Sequence, residues 1–394
     1  MNRTFYRFGI FFLILLAAVG IFQSILHLLL DNQIFSLQSL SMWILATIFI
    51  SMIASLLLVK YFHFKKLRFA FYSGVVVTVS SLFYLFVLYR LVAARELQGL
   101  YLPFMALTLV VSIVHGISLI VSPAGKRVWL MAAGICMVVI NVFTSVLVSW
   151  SSVNPTDVQV QNTAREILQW SAFASPLVFV MFIINFRSEM RTLKTEPASL
   201  TLPSYMEGVL NFVGFSLAVF VLVTSITMAK DGHTTIYWTK RNFENAREIA
   251  KIYEAREFVS SKGEVLRYRI LRPLDYDPQK KYPLVVSLHH GGVHGSDNVT
   301  HLSSEPSAIL SSNTYRRKYP AFIFAPQSPA GSGFGRMNNY PSTDSLVFDA
   351  IRALEKEFAI DEKRRYVMGI SGGGYGSWHF ISMHPEMFAA AVPI

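Results

Sequence analysis

Ser371 stands in the stretch of this chain best suited to covalent chemistry. Gly369-Ile370-Ser371-Gly372-Gly373 fits the pattern G-x-S-x-G. A nucleophilic serine must sit on a tight turn between a strand and a helix, where a side chain at a flanking glycine would strike neighbouring backbone. The surroundings agree with that demand. Residues 365–370 read as an apolar strand climbing into Gly369, and Tyr375 through Trp378 and Phe380 to Met383 is compatible with a helix. A glycine-rich turn with no chemistry shares the motif, so the flanking elements carry the inference.

A serine that attacks a carbonyl also needs two preorganised N–H donors for the oxyanion. One comes from the residue after the nucleophile, here Gly372. The other comes from a glycine-rich loop after an early strand, and Leu288-His-His-Gly-Gly-Val-His-Gly-Ser-Asp-Asn298 offers such a loop around His290 to Gly292. Its histidines His289, His290 and His294 read as loop residues. A metal site lacks supporting carboxylate or cysteine spacing, and neither a metal nor a cofactor is expected.

The elements that must position these residues run from about residue 254. Glu257-Phe-Val-Ser and Val265–Leu271 flank Ser-Lys-Gly at 261–263, which predicts a hairpin. Tyr282–Leu288 and Ala321–Ala325 are short continuous apolar runs, as buried parallel strands require. Thr343–Phe358 is an amphipathic helix with Leu346, Val347, Ala350, Ile351 and Leu354 on one face and Ser342 or Thr343 as cap. A last strand begins at Phe388. This order predicts an α/β unit with a mostly parallel sheet.

The rest of the chain is of another kind. The 394 residues are 53% hydrophobic and carry a formal charge of +11; their mean hydropathy is +0.44. Residues 1–229 hold only 14 Lys+Arg and 7 Asp+Glu, against 21 and 17 in the remainder. Seven apolar stretches, roughly 8–30, 41–61, 69–92, 102–122, 128–150, 170–186 and 208–229, are long enough to cross a bilayer as helices. The sixth is the shortest. Eleven of the fourteen basic residues (Arg3, Arg7, Lys60, Lys65, Lys66, Arg68, Lys126, Arg127, Arg187, Arg191 and Lys194) fall on one side. The N-terminus is therefore expected in the cytoplasm, and the C-terminal region on the opposite side. The positive charge is explained by this topology, and no nucleic-acid partner is expected. His27, His115, Asn141 and Asn185 inside the spans read as interhelical hydrogen-bonding groups. No Asp or Glu lies deep in a predicted span, which argues against an ion-coupled transporter. Residues 230–253 read as a juxtamembrane linker, with a helix possible over 242–257. The single cysteine, Cys136, allows no intramolecular disulfide.

Residues 254–394 resemble the secreted α/β-hydrolase esterases related to polyhydroxybutyrate depolymerases and prolyl oligopeptidases. The likeness rests on four motifs in order: RYRILRPLDYDPQKKYPLVV (267–286), LHHGGVHGSDN (288–298), FAPQSP (324–329) and YVMGISGGGYGSWHFISMHPEMFAAAVPI (366–394). It implies that Ser371 is the nucleophile and that the N–H groups of Gly372 and Gly291 form the oxyanion hole. Two departures stand out. His289-His290 replaces the usual His-Gly, and Ser371-Gly-Gly-Gly374 replaces Ser-Met-Gly-Gly, a looser turn.

In that fold the catalytic acid and histidine follow the serine. Here the residues after Ser371 offer only His379, His384 and Glu386, in or just after the elbow helix. About 140 residues stand where such a domain commonly needs ~200. The sequence thus reads as an incomplete α/β-hydrolase domain behind an α-helical transmembrane bundle of about seven helices. The expected function is a membrane-anchored serine esterase acting outside the cytoplasm on an ester or acyl substrate, inactive or nearly so in this length of chain. A serine peptidase shares the same acyl-enzyme chemistry. A seven-helix sensor or transport-associated protein with a non-catalytic hydrolase-like domain is the alternative of another class.

Overall fold

A computed structural model describes residues 2–122, 127–154, 157–193, 204–335 and 341–394. Two basic residues used for the topology, Lys126 and Lys194, lie outside these, as does part of the 327–342 loop. The chain divides into a helical unit within residues 1–236 and an α/β unit formed mainly by Tyr237–Ile394.

The helical unit contains α1 (Arg3–Leu30), α2 (Leu40–Phe64), α3 (Arg68–Ala94), α4 (Gln98–Val121), α5 (Val128–Val153), α6 (Val158–Ser171) and α7 (Pro176–Thr192), followed by α8 (Ser204–Ala250). Among the described residues, seven helical segments are long and apolar enough to cross a membrane. Large apolar side chains such as Ile14, Leu56, Val79, Val110, Val146 and Phe212 are exposed on their outer faces. The sixth segment is interrupted, because the helix tightens to a 3-10 turn at Ala172–Ala174 just before Pro176. Proline fits the first turn of α7, where its missing N–H is not needed.

Small residues let helices approach closely. A Cβ on Gly134 of α5 would lie 2.5 Å from the Gly116 carbonyl oxygen of α4, and the reverse contact is 2.9 Å. Three of the four polar residues singled out in the spans make hydrogen bonds. Asn185 donates to the Tyr61 hydroxyl (2.9 Å) and His115 Nδ1 meets Ser73 Oγ (2.8 Å), while Asn141 donates to its own helix at Met137 O (2.7 Å). His27 instead sets its ring edge-on to Phe35. Glu189, beyond the predicted sixth span, lies in the last turn of α7. It accepts from the hydroxyls of Tyr6 (2.8 Å) and Tyr61 (2.6 Å) and pairs with Lys65 (2.6 Å).

At residues 230–253, where a linker with a helix possible over 242–257 is expected, α8 runs unbroken through Lys230 to Ala250 and stops there, because Glu254 already starts a strand. Residues 242–250 combine good helix formers with a face of Ala246, Ile249 and Ala250, so the helix extends until that face is buried against Tyr253, Leu271 and Leu302.

The α/β unit is built on six strands: β1 (Glu254–Val259), β2 (Val265–Leu271), β3 (Tyr282–Leu288), β4 (Phe322–Gln327), β5 (Ile360–Gly369) and β6 (Ala390–Pro393). Their order is β1-β2-β4-β3-β5-β6. The hairpin β1–β2 forms as predicted, in register Glu254 to Ile270. The sheet is mixed, with three of its five strand pairings parallel. β2 pairs antiparallel with β4, whereas β4, β3, β5 and β6 run parallel. The hairpin is the reason, because a two-strand turn forces one reversal that the crossovers do not undo. Short helices α9 (Glu305–Leu310) and α10 (Asn313–Lys318) connect β3 to β4, α11 (Asp344–Glu357) connects β4 to β5, and α12 (Gly372–Met383) connects β5 to β6. The core gathers Leu284, Val286 and Leu288 of β3 with Phe322 and Phe324 of β4, Val347 and Ile351 of α11, and Phe380 of α12. Arg365 of β5, nearly buried, pairs with Glu355 of α11 and donates to Met387 O (3.1 Å), which ties the strand leading to Ser371 to both neighbours.

Candidate active site

Ser371 follows the end of β5 and caps α12 with φ 54° and ψ −114°. Positive φ at a residue bearing a Cβ costs about 1–3 kcal/mol and persists only where the surroundings impose it. Here they do. The Ser371 N–H donates to Ile394 O (2.7 Å), and Ile394 N–H donates to Gly369 O (2.9 Å). The glycines are required by contact as well as by the turn. A Cβ on Gly373 would lie 2.2 Å from Leu288 O, and one on Gly369 would lie 2.3 Å from Gly373 O. The result is an exposed serine on a sharp strand-to-helix turn.

The loop after β3 comes up against this turn. The position a Cβ would take on Gly372 lies 3.3 Å from the Gly291 amide nitrogen. Among the described residues, neither the Gly372 nor the Gly291 N–H has a protein acceptor. Two free amide donors beside an exposed, strained serine are the arrangement that stabilises an oxyanion during acyl transfer. Ser371, Gly372 and Gly291 are thus brought together by β3, β5 and α12.

What holds the β3 loop lay hidden among its histidines. His289, 2% exposed, spans two strand ends. Its Nε2 accepts from the Ser328 N–H (2.9 Å), so the proton sits on Nδ1, which donates to His290 O (2.8 Å). Burial pushes its pKa down to about 3 and that of His301 to about 4. Burial likewise lowers His290 and His294. His289 and His301 are therefore poor proton acceptors, and His289 works as a neutral clamp.

Gln327, at 1% exposure, fixes the far end of the loop. Its Oε1 accepts from Asn298 N–H (2.7 Å) and its Nε2 donates to Asp297 (2.9 Å). Burial alone would raise the Asp297 carboxyl, but donors from Val299, Thr300 and Gln327 outweigh it and hold its pKa low. The FAPQSP stretch, legible in the sequence only as a motif, owes its place to these contacts of Gln327 and Ser328.

The sequence also leaves His379 in view as a possible partner for Ser371. The structure assigns it elsewhere. His379 Nε2 meets Asp344 Oδ2 at 2.8 Å, and Asp344 Oδ1 accepts from Gly335 N–H at 2.8 Å. Eight residues along a helix is about 12 Å at 1.5 Å per residue, too far for a proton transfer. His379 and Asp344 join α12 to the start of α11, next to Gly335, whose φ of +86° leaves room for no Cβ against the His379 ring (2.9 Å). Among the described residues no imidazole or carboxylate is hydrogen-bonded to the Ser371 hydroxyl, and no cluster of three His, Cys, Asp or Glu could hold a metal.

Comparison with known proteins gives a consistent but partial likeness. Residues 335–394 match the Prolyl oligopeptidase family, Peptidase S9. A probable feruloyl esterase C of Aspergillus terreus is 32% identical over 118 residues, covering 30% of this chain and 42% of that protein. Among solved structures, a thermostable esterase is 36% identical with a TM-score of 0.34, covering 37% of this chain and 41% of the other. A ferulic acid esterase of Anaeromyces mucronatus is 17% identical with a TM-score of 0.28, covering 35% of this chain and 56% of the other. The chain spans about two-fifths of the length of the curated relative it matches. Its similarity at the level of family is to α/β-hydrolase serine esterases.

Proposed function

We propose that the α/β unit is the nucleophile-bearing part of a serine ester hydrolase held at a membrane by the helical unit. Ser371 attacks the ester carbonyl and forms an acyl-enzyme, while the Gly372 and Gly291 N–H groups hold the oxyanion. The observation that carries this reading is the exposed, left-handed Ser371 with two unused amide donors beside it. The named relative supports carboxylic esters, including esters of aromatic acids, as the substrates to try first. The seven apolar segments and the one-sided basic residues support an N-terminus in the cytoplasm and an α/β unit outside it.

Without an imidazole to take the Ser371 proton, only the oxyanion hole and substrate binding remain, a small fraction of full catalysis. The reading therefore requires a histidine base and its carboxylate partner beyond the contacts described. Expression of the whole reading frame tests it. With short acyl and aryl esters, Ser371→Ala should lower kcat/KM at least a thousandfold. Hydrolysis by Ser371→Ala at the wild-type rate overturns the proposal.

One observation favours a second reading. Because no base among the described residues meets the Ser371 hydroxyl, the unit is also suited to binding an acyl ligand without turnover, as a seven-helix sensor or transport-associated protein would use it. Tight binding of an ester by the whole protein with no turnover selects this one. The Peptidase S9 match keeps peptide bonds on the substrate panel.

A further inference from the structure

The helical unit contains a cavity of about 340 Å³ between α1, α2, α3, α4, α5 and α7. Its size falls in the range of small-molecule sites. Polar groups face it from four helices: Ser51 and Ser55 of α2, Thr78 and Ser81 of α3, His115 of α4 and Asn141 of α5. Among the described residues no Lys, Arg, Asp or Glu lines it, and apolar side chains such as Leu85, Met137 and Phe179 make up much of the rest.

The hydrogen bonds around His115 decide what this wall presents. His115 is 5% exposed. Ser73 Oγ lies 2.8 Å from Phe69 O, from Ser118 Oγ and from His115 Nδ1, so that ring nitrogen is engaged within the helix contact. Nε2 is the other ring nitrogen and has no partner among the described residues. Asn141 spends its amide N–H on Met137 O (2.7 Å), leaving Oδ1 as an unpartnered acceptor. Among the described residues the hydroxyls of Ser51, Ser55 and Ser81 have no partner either, whereas Thr78 donates to Gly74 O (2.7 Å). None of these unpartnered atoms is fully buried, so the cavity leaves them accessible to an occupant. A charged occupant would find no counter-charge there.

We propose that this cavity is a binding site for a small uncharged amphipathic molecule with a hydroxyl or N–H donor, an alcohol being the simplest case. The donor meets Asn141 Oδ1 with His115 Nε2 beside it, and the apolar body lies against Met137 and Phe179. This site is separate from the Ser371 chemistry and stands or falls without it.

The test uses the full chain in detergent, a diazirine-bearing octanol as photolabel, and octanol and octane as competitors. Expected is saturable labelling of cavity residues, mapped by mass spectrometry, that octanol displaces at least tenfold better than octane. Ser55→Phe on α2 and Ser81→Leu on α3 fill the space from different walls and should each remove at least nine-tenths of it. His115→Phe keeps an aromatic ring but removes the polar nitrogen, and should weaken octanol competition about tenfold. Variants are scored only where their gel-filtration profile matches wild type. Non-saturable labelling spread over outward-facing Val79 and Phe86 overturns the proposal. So does equal competition by octane, or undiminished labelling in a folded filling variant.

Discussion

At Ser371 and His289, similar sequence surroundings conceal opposite roles. Ser371 is exposed and held in a strained conformation with its hydroxyl unengaged, while His289 is buried and has both ring nitrogens in use. The second fact has a pH signature. Burial lowers the folded-state pKa of His289 from 6.5 to about 3. Above 6.5 the ring is neutral in both states and its contribution is complete. Between about 6.5 and 3 the unfolded chain takes up a proton that the folded one refuses, so stability falls as pH drops. His301 acts in the same direction down to about 4. Denaturant midpoints of the α/β unit should fall steadily over that window. His289→Leu should flatten the slope by roughly 1.4 kcal/mol per pH unit, leaving the part due to His301. At pH 7.5 the same variant should lose about 1–3 kcal/mol, because the Ser328 N–H and His290 carbonyl lose their partner. An unchanged acid slope would show that His289 is protonated in the fold. The role of His289 was not legible beforehand, since a histidine in a glycine-rich loop reads alike whether it binds, catalyses or clamps.

Among elements, strand and helix positions followed periodicity closely where burial was one-sided or complete. The run Tyr282–Leu288 and the amphipathic stretch of α11 emerged nearly as read, because apolar spacing sets which face must be buried. Elements joined by pairing partners did not. The β2–β4 pairing across 51 intervening residues has no local signal, and neither has the glycine contact between α4 and α5. That contact is testable. Gly134→Leu would drive a side chain into the Gly116 carbonyl and should destabilise the helical unit by about 2–3 kcal/mol, read as a lower thermal midpoint in detergent. A midpoint equal to wild type would mean that α4 and α5 separate at no cost.

For the whole molecule, two compact units share one chain, and the proposed topology sets them on different sides of the same question. If the N-terminus is cytoplasmic, Lys66 lies inside and Lys262 outside. In a Cys136→Ala background, Lys262→Cys should react with a membrane-impermeant maleimide on intact cells and Lys66→Cys only after permeabilisation. The opposite pattern would reverse the orientation and place Ser371 in the cytoplasm, which would sink the extracytoplasmic reading while leaving the chemistry of the elbow intact.

What the sequence determined alone was whatever rests on local spacing: seven apolar segments, the α/β order, and a serine elbow with its glycines. These depend on periodicity and on the steric demands of one turn, which neighbouring residues settle. Tertiary structure decided the rest. It made the sheet mixed, carried α8 through the expected linker, turned His289 and Gln327 into loop clamps, and gave His379 to Asp344 instead of Ser371. Each of these depends on which distant groups meet, and in a close-packed interior that is set by the whole fold and not by the spacing along the chain.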